Sequence, residues 1–138
     1  MDILRILCYF ENDSDVIFAW YNQQDAEIQA KTDAIIEVMQ TIPSKWWRMP
    51  DFRRLNRASQ GLSTVRIISD ERVHYRIFGF FWPKEDVHYT MLLPMKKVDD
   101  PDYSRSGPEA FRRRDLVLRG GRVDEWAFPK DSNPEAKV

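Results

Sequence analysis

Two arginines, two adjacent lysines and a tyrosine in the second half of the chain form a set able to hold and cut a phosphodiester. Arg66 and Arg76 fall inside β-branched, aromatic stretches, Lys96 and Lys97 close a third such stretch, and Tyr103 follows a turn containing Asp99, Asp100 and Pro101. A guanidinium offers phosphate oxygens a planar fork of donors, and an ammonium a compact charge. A phenol can act as a base where cations lower its pKa from about 10. A charge in mid-strand is costly unless its sheet face is open to solvent or meets an anion. The same residues also fit arginines that snorkel or pair with a facing helix, and a lysine pair that solubilises a strand end. Types and spacing alone leave both readings open.

Other groups are less specific. Trp46 and Trp47, beside Lys45 and Arg48, could stack bases or anchor a loop on the core. Arg112, Arg113 and Arg114 could track phosphates or line a solvated helix face. His74 and His88 have no carboxylate at metal-ligand spacing, so each is expected on a strand surface, with no metal and no cofactor. No glycine-rich phosphate loop or nucleophile elbow is present. The lone Cys8 excludes an internal disulfide and lies in an apolar run.

The elements that must position these residues follow from periodicity. Residues 3–10 read as a strand buried on both faces apart from Arg5. Glu11 to Asp15 supplies turn and N-cap chemistry for a short helix with Val16, Ile17, Ala19 and Trp20 on its apolar side. The spacing of Ile28, Ile35, Val38, Met39 and Ile42 predicts a second helix over about 25–41, ended by Pro43. Residues 43–61 read as loop. Strands are predicted over 62–69, 73–82 and 87–97, with connections short enough to force antiparallel hairpins. A helix near 109–118, with Pro108 at its start, is closed by Gly120 and Gly121.

Alternation then sorts the strands into faces. Val65 and Ile67 point one way, and Thr64, Arg66 and Ile68 the other; Tyr75, Ile77 and Phe81 oppose His74, Arg76, Phe78 and Phe80. The expected fold is α+β, a helical hairpin on one face of a mostly antiparallel four-stranded sheet, with a C-terminal helix. Residues 1–128 are expected to form one domain, and 129–138 a disordered tail.

The 138 residues carry 21 basic and 22 acidic side chains, a net charge of −1 that argues at first against a polyanion-binding protein. The distribution says otherwise. Residues 1–44 sum to −6, residues 45–76 to +5, and the remainder balances. Such a swing fits a nucleic acid or other anionic partner, and fits equally well charges scattered over unrelated faces. No run approaches the ~20 apolar residues of a membrane helix, and the N-terminus lacks a signal-peptide pattern, so a cytoplasmic protein with no membrane partner is expected.

Several segments carry a resemblance when taken in order: the opening strand, the two helices, Trp47 with Pro50-Asp-Phe-Arg-Arg-Leu55, Gly61-Leu62, Thr64-Val-Arg66-Ile, Tyr75-Arg-Ile-Phe-Gly-Phe-Phe81, and Leu92-Leu-Pro-Met-Lys-Lys97. Over roughly residues 3–118 the chain resembles the RelE/ParE toxin superfamily of bacterial type II toxin–antitoxin systems, nearest its phage-derived HigB-like branch. The resemblance implies a RelE-like fold and a metal-independent endoribonuclease that cuts translated messenger RNA in the ribosomal A site. It implies a cognate antitoxin, expected to be a small helix-turn-helix protein. It places Arg66, Lys97 and Tyr103 in the catalytic set and Lys45, Arg48, Arg53, Arg54, Arg57, Arg76 and Lys96 on the RNA-facing surface. The alternative it leaves is a non-catalytic module of the same fold, such as a gyrase-inhibiting or inactive relative. Three features depart from the family: the near-neutral total charge, the acidity of the N-terminal third, and a long acidic link over 99–108.

Overall fold

The structure, a computed structural model, describes residues 4–47, 51–55, 61–84 and 87–126. The expected tail, 129–138, lies outside the described residues. Among the described residues, seven strands and three α-helices follow one another as β1 (Arg5–Glu11), β2 (Ser14–Asp15), α1 (Val16–Asn22), α2 (Ala26–Met39), β3 (Phe52–Arg54), β4 (Ser63–Ile68), β5 (His74–Phe80), β6 (His88–Lys96), α3 (Ser106–Leu118) and β7 (Val123–Glu125). Single turns of 3₁₀-helix cover Ser44–Trp46 and Lys97–Asp99.

Both early helices start where side-chain caps allow. Asp15 Oδ1 accepts from the amides of Ile17 at 3.1 Å and Phe18 at 2.9 Å, and Asp25 Oδ1 accepts from Ile28 at 3.0 Å. These bonds satisfy donors that a helix start otherwise leaves open. The buried side of α2 is Ile28, Thr32, Ile36 and Met39, a 4-4-3 spacing. It is rotated from the expected stripe: Ile28 and Met39 are shared, but Val38 is exposed. In α1, Ile17 and Tyr21 are buried, whereas Ala19 is exposed.

The sheet corrects the expected architecture. It has seven strands rather than four, in the order β2-β1-β6-β5-β4-β3 with β7 also on β1, and it is mixed. β1 pairs with β6 in parallel, from Arg5 opposite His88 to Cys8 opposite Met91. Parallel partners need a long crossover, here α1, α2 and the four strands β2 to β5, and local spacing carries no record of it. Residues 52–54, expected as loop, form an edge strand on β4, and Val123–Glu125 cover β1 on its other side. The β4–β5 and β5–β6 pairs are antiparallel, as their short connections require.

The sheet is buried on both faces. On one, α1 and α2 cover Ile6, Cys8, Val65, Ile67, Ile77, Tyr89 and Met91. On the other, α3 lays Ala110 and Val117 over Tyr9, Leu62, Phe78, Phe80 and Leu92. Each such aliphatic or aromatic side chain contributes about 1.5–3 kcal/mol by leaving water. The β5–β6 register shifts between Phe78, opposite Leu93, and Gly79, opposite Met91. At Gly79 a Cβ would sit 2.6 Å from the Thr90 carbonyl oxygen and 2.7 Å from the Tyr89 ring, so only glycine fits this close approach.

Candidate functional site

Strand register brings the two arginines side by side. Arg66 of β4 is directly opposite Arg76 of β5, on the same sheet face as the Thr64–Phe78 pair and therefore on the α3 side. Cross-strand like charges disfavour each other, so the sheet holds a concentration of positive charge at some cost. Burial pushes the Arg66 guanidinium pKa below its ordinary value, and Arg76 beside it pushes the same way. Arg76 is only 8% exposed.

Tyr103 closes over this pair. Arg76 Nε donates to its phenolic oxygen at 3.1 Å, and Arg76 Nη1 donates to the Tyr75 carbonyl at 3.2 Å. The Tyr103 ring packs edge-on against Phe78, with centroids 5.1 Å apart, and Lys97 Nζ lies 5.1 Å from the ring centroid. Lys97 also donates to the Pro101 carbonyl at 2.6 Å. Arg66, Arg76, Lys97 and Tyr103 thus converge at one end of the α3-covered face.

The acidic link is what places Tyr103. Asp100 is nearly buried, and its carboxylate accepts from the Arg105 amide at 3.0 Å, the Ser106 amide at 2.6 Å and the Ser104 hydroxyl at 3.3 Å. It thereby caps α3 from six residues away, in place of Arg105, whose side chain makes no cap. Burial pulls the Asp100 pKa upward, but these donors outweigh it and hold the carboxyl at about 2. Between Asp100 and α3, Tyr103 takes a left-handed backbone, φ 62°. That conformation costs a bulky residue on the order of 1–3 kcal/mol and persists only where its surroundings fix it. The Asp100 cap, the Arg76 bond and the Phe78 contact do so here. Without knowledge of the cap, the acidic link reads only as an irregular insertion.

The other expected RNA-facing residues divide by strand parity. Arg53 pairs with Thr64, which puts it on the Arg66 side, and it is exposed. Arg54, one residue on, lies over the Phe81 ring at 4.5 Å and the Phe52 ring at 5.8 Å, on the α1–α2 side. Lys96 pairs with Tyr75, one step from the Arg76–Met95 pair, and so alternates away from the arginines. Lys45 is exposed on the turn after α2, among the α2-side elements. Arg48 and Arg57 lie outside the described residues.

Trp47 is an anchor: it is buried against Phe52, Phe81 and Tyr89, whereas Trp46 is 58% exposed. The arginine run on α3 is engaged within the fold. Arg112 pairs with Glu11 and Glu109, Arg113 with Glu109 and the Leu92 carbonyl, and Arg114 lies over Phe80 and Phe111.

His74 is the member whose place the sequence under-rates. It stands two residues before Arg76 on the same face of β5 and is partly buried. Burial lowers its pKa below 6.5, and Arg76, Arg66, Arg72 and Lys97 all add to that shift. A neutral imidazole therefore sits among four cations at neutral pH. Strand alternation alone already groups it with Arg76; the cationic surroundings emerge only once β4 and the turn after β6 are folded against it.

Among the described residues, no helix is long and apolar enough to cross a membrane, and no group of three His, Cys, Asp or Glu side chains is arranged to hold a metal ion. No family model, curated protein or solved structure matches the chain.

Proposed function

We propose that this protein is a type II toxin that inhibits translation in the cytoplasm by cutting messenger RNA on the ribosome, and that a cognate helix-turn-helix antitoxin silences it. The observation that carries this reading is the convergence of Arg66, Arg76, Lys97 and Tyr103 on one sheet face. In this mechanism the ribose 2′-oxygen attacks the neighbouring phosphate, and the P–O5′ bond breaks. Arg66 and Arg76 hold the non-bridging oxygens, where negative charge grows as the phosphate becomes five-coordinate. Lys97 adds positive charge beside Tyr103, and Tyr103 delivers a proton to the departing 5′-oxygen. Arg53 lies along the path of the RNA backbone and contributes salt-sensitive affinity. The acidic N-terminal third limits non-specific RNA binding, so productive encounters depend on the ribosome.

The test is expression of wild type and Arg66→Ala in bacterial cells, followed by transcriptome-wide mapping of mRNA ends. Growth arrest with new mRNA ends from wild type, both lost in the variant, supports the reading. Arrest by both proteins without cleaved message overturns it, and a DNA-damage response with intact RNA points to a gyrase-directed module instead.

A further inference from the structure

We infer that His74 is the group that takes the proton from the attacking 2′-hydroxyl. This rests on the RNA-cutting reading and assigns the one chemical role that the convergent residues leave unfilled. Transesterification needs a proton acceptor at the 2′-oxygen and a proton donor at the 5′-oxygen. The Arg66, Arg76 and Lys97 side chains carry donors and no acceptor, and the Tyr103 oxygen already accepts from Arg76 at 3.1 Å. Asp100 is committed to the start of α3. Asp51 flanks the site at the start of β3 and acts electrostatically on Arg66 from the β4 side. His74 shares the face and strand of Arg76 at the i, i+2 spacing, and its cross-strand partner Ile68 lies two residues beyond Arg66. It is thus the neighbour on β5 of the arginine pair that would hold the phosphate.

The charged groups bearing on His74 come from every side: Arg66 on β4, Arg72 in the β4–β5 turn, Arg76 on β5 and Lys97 after β6. All are positive and add to the larger effect of burial, so His74 keeps a lone pair at neutral pH where an isolated histidine would be partly protonated. In the step itself, His74 takes the 2′-hydroxyl proton as the 2′-oxygen bonds to phosphorus. The P–O5′ bond breaks, and Tyr103 gives its phenolic proton to the 5′-oxygen. The proton on His74 then returns to the tyrosinate through water. The products are a 2′,3′-cyclic phosphate and a 5′-hydroxyl end, with every atom and proton accounted for.

The experiment uses the full chain and ribosomes programmed with a short mRNA, and measures single-turnover cleavage from pH 5 to 8. Wild type should gain activity with rising pH through an apparent pKa below 6.5. His74→Gln should cut about 10²- to 10⁴-fold more slowly and lose that acid limb, while binding a 2′-deoxy mRNA mimic within twofold of wild type. Cleavage by His74→Gln within threefold of wild type, with the limb intact, overturns the assignment and leaves the RNA-cutting reading standing. Failure of wild type to cleave overturns both. A second measurement does not depend on the variant folding: an NMR titration of the His74 ring in wild type. Titration below pH 6.5 supports the role, and titration at or above 6.5 contradicts it.

Discussion

Arg76 Nε and the phenolic oxygen of Tyr103 meet at 3.1 Å across 27 residues of chain, tying the centre of β5 to the link that precedes α3. The bond satisfies a nearly buried guanidinium and fixes the phenol over the Arg66–Arg76 pair. Tyr103→Phe keeps the ring on Phe78 but removes the acceptor. Leaving that donor unpaired should cost about 1–3 kcal/mol of stability in urea unfolding, and cleavage should fall at least tenfold. Unchanged stability and rate would show the bond to be incidental.

The link should hold at neutral pH and loosen only in strong acid. The Asp100 carboxyl is held at about 2, against its upward push from burial, by donors of Ser106, Arg105 and Ser104. Glu109 is held at about 2 mainly by hydrogen bonds from Arg112, with Arg113 assisting against burial. Both folded-state values lie below the unfolded ones, so their stabilisation is complete above about pH 4–5 and is lost as pH falls toward about 2. Urea midpoints of Asp100→Asn and Glu109→Gln should therefore fall below wild type at pH 7 and converge with it in acid. Asp100→Asn should also slow cleavage, because Tyr103 loses the cap that sets its backbone.

Neighbouring basic residues should behave oppositely according to strand parity. Lys97→Ala should lower cleavage about tenfold and Lys96→Ala less than twofold, since Lys96 alternates away from the arginines. Arg53→Ala should weaken RNA binding and reduce its salt dependence. Arg54→Ala should leave binding intact and cost about 0.5–1 kcal/mol through the lost contact over Phe81. Equal effects within either pair, measured by RNA titration and denaturant unfolding, would contradict the face assignment.

Gly79→Ala probes the β5–β6 register shift beneath the site. The added methyl would meet the Thr90 carbonyl and the Tyr89 ring inside contact distance. Destabilisation of about 1–3 kcal/mol is expected, read as a lower thermal midpoint; a neutral substitution would mean that the strands can part here without cost.

The grouping of His74 with Arg76 was legible in the sequence because a strand period of two is local, whereas Arg66 joins them only through the β4–β5 register. So was the Asp15 cap, which lies within three residues of the amides it satisfies. The parallel β1–β6 pair was not: residues 3–10 read as apolar on both faces whichever partner they take. The β3 and β7 edges, three residues each, are too short to show a period. The stripe on α2 came out rotated because Val38 and Ile36 are equally apolar, and the sheet decides which one it buries. Asp100 was opaque for a different reason. A cap acting from six residues upstream leaves no spacing signal, and the left-handed turn that aims Tyr103 depends on it.

The central claim, that the Arg66–Arg76 face cuts RNA by internal transesterification, is tested most directly by the chemistry of the cut ends. Purified wild-type protein on mRNA-programmed ribosomes should yield a 2′,3′-cyclic phosphate and a 5′-hydroxyl at each break, and Arg66→Ala should reduce their formation at least 10²-fold with its fold intact. Cleavage unaffected by Arg66→Ala, breaks bearing a 5′-phosphate, or no cleavage by wild type would contradict it.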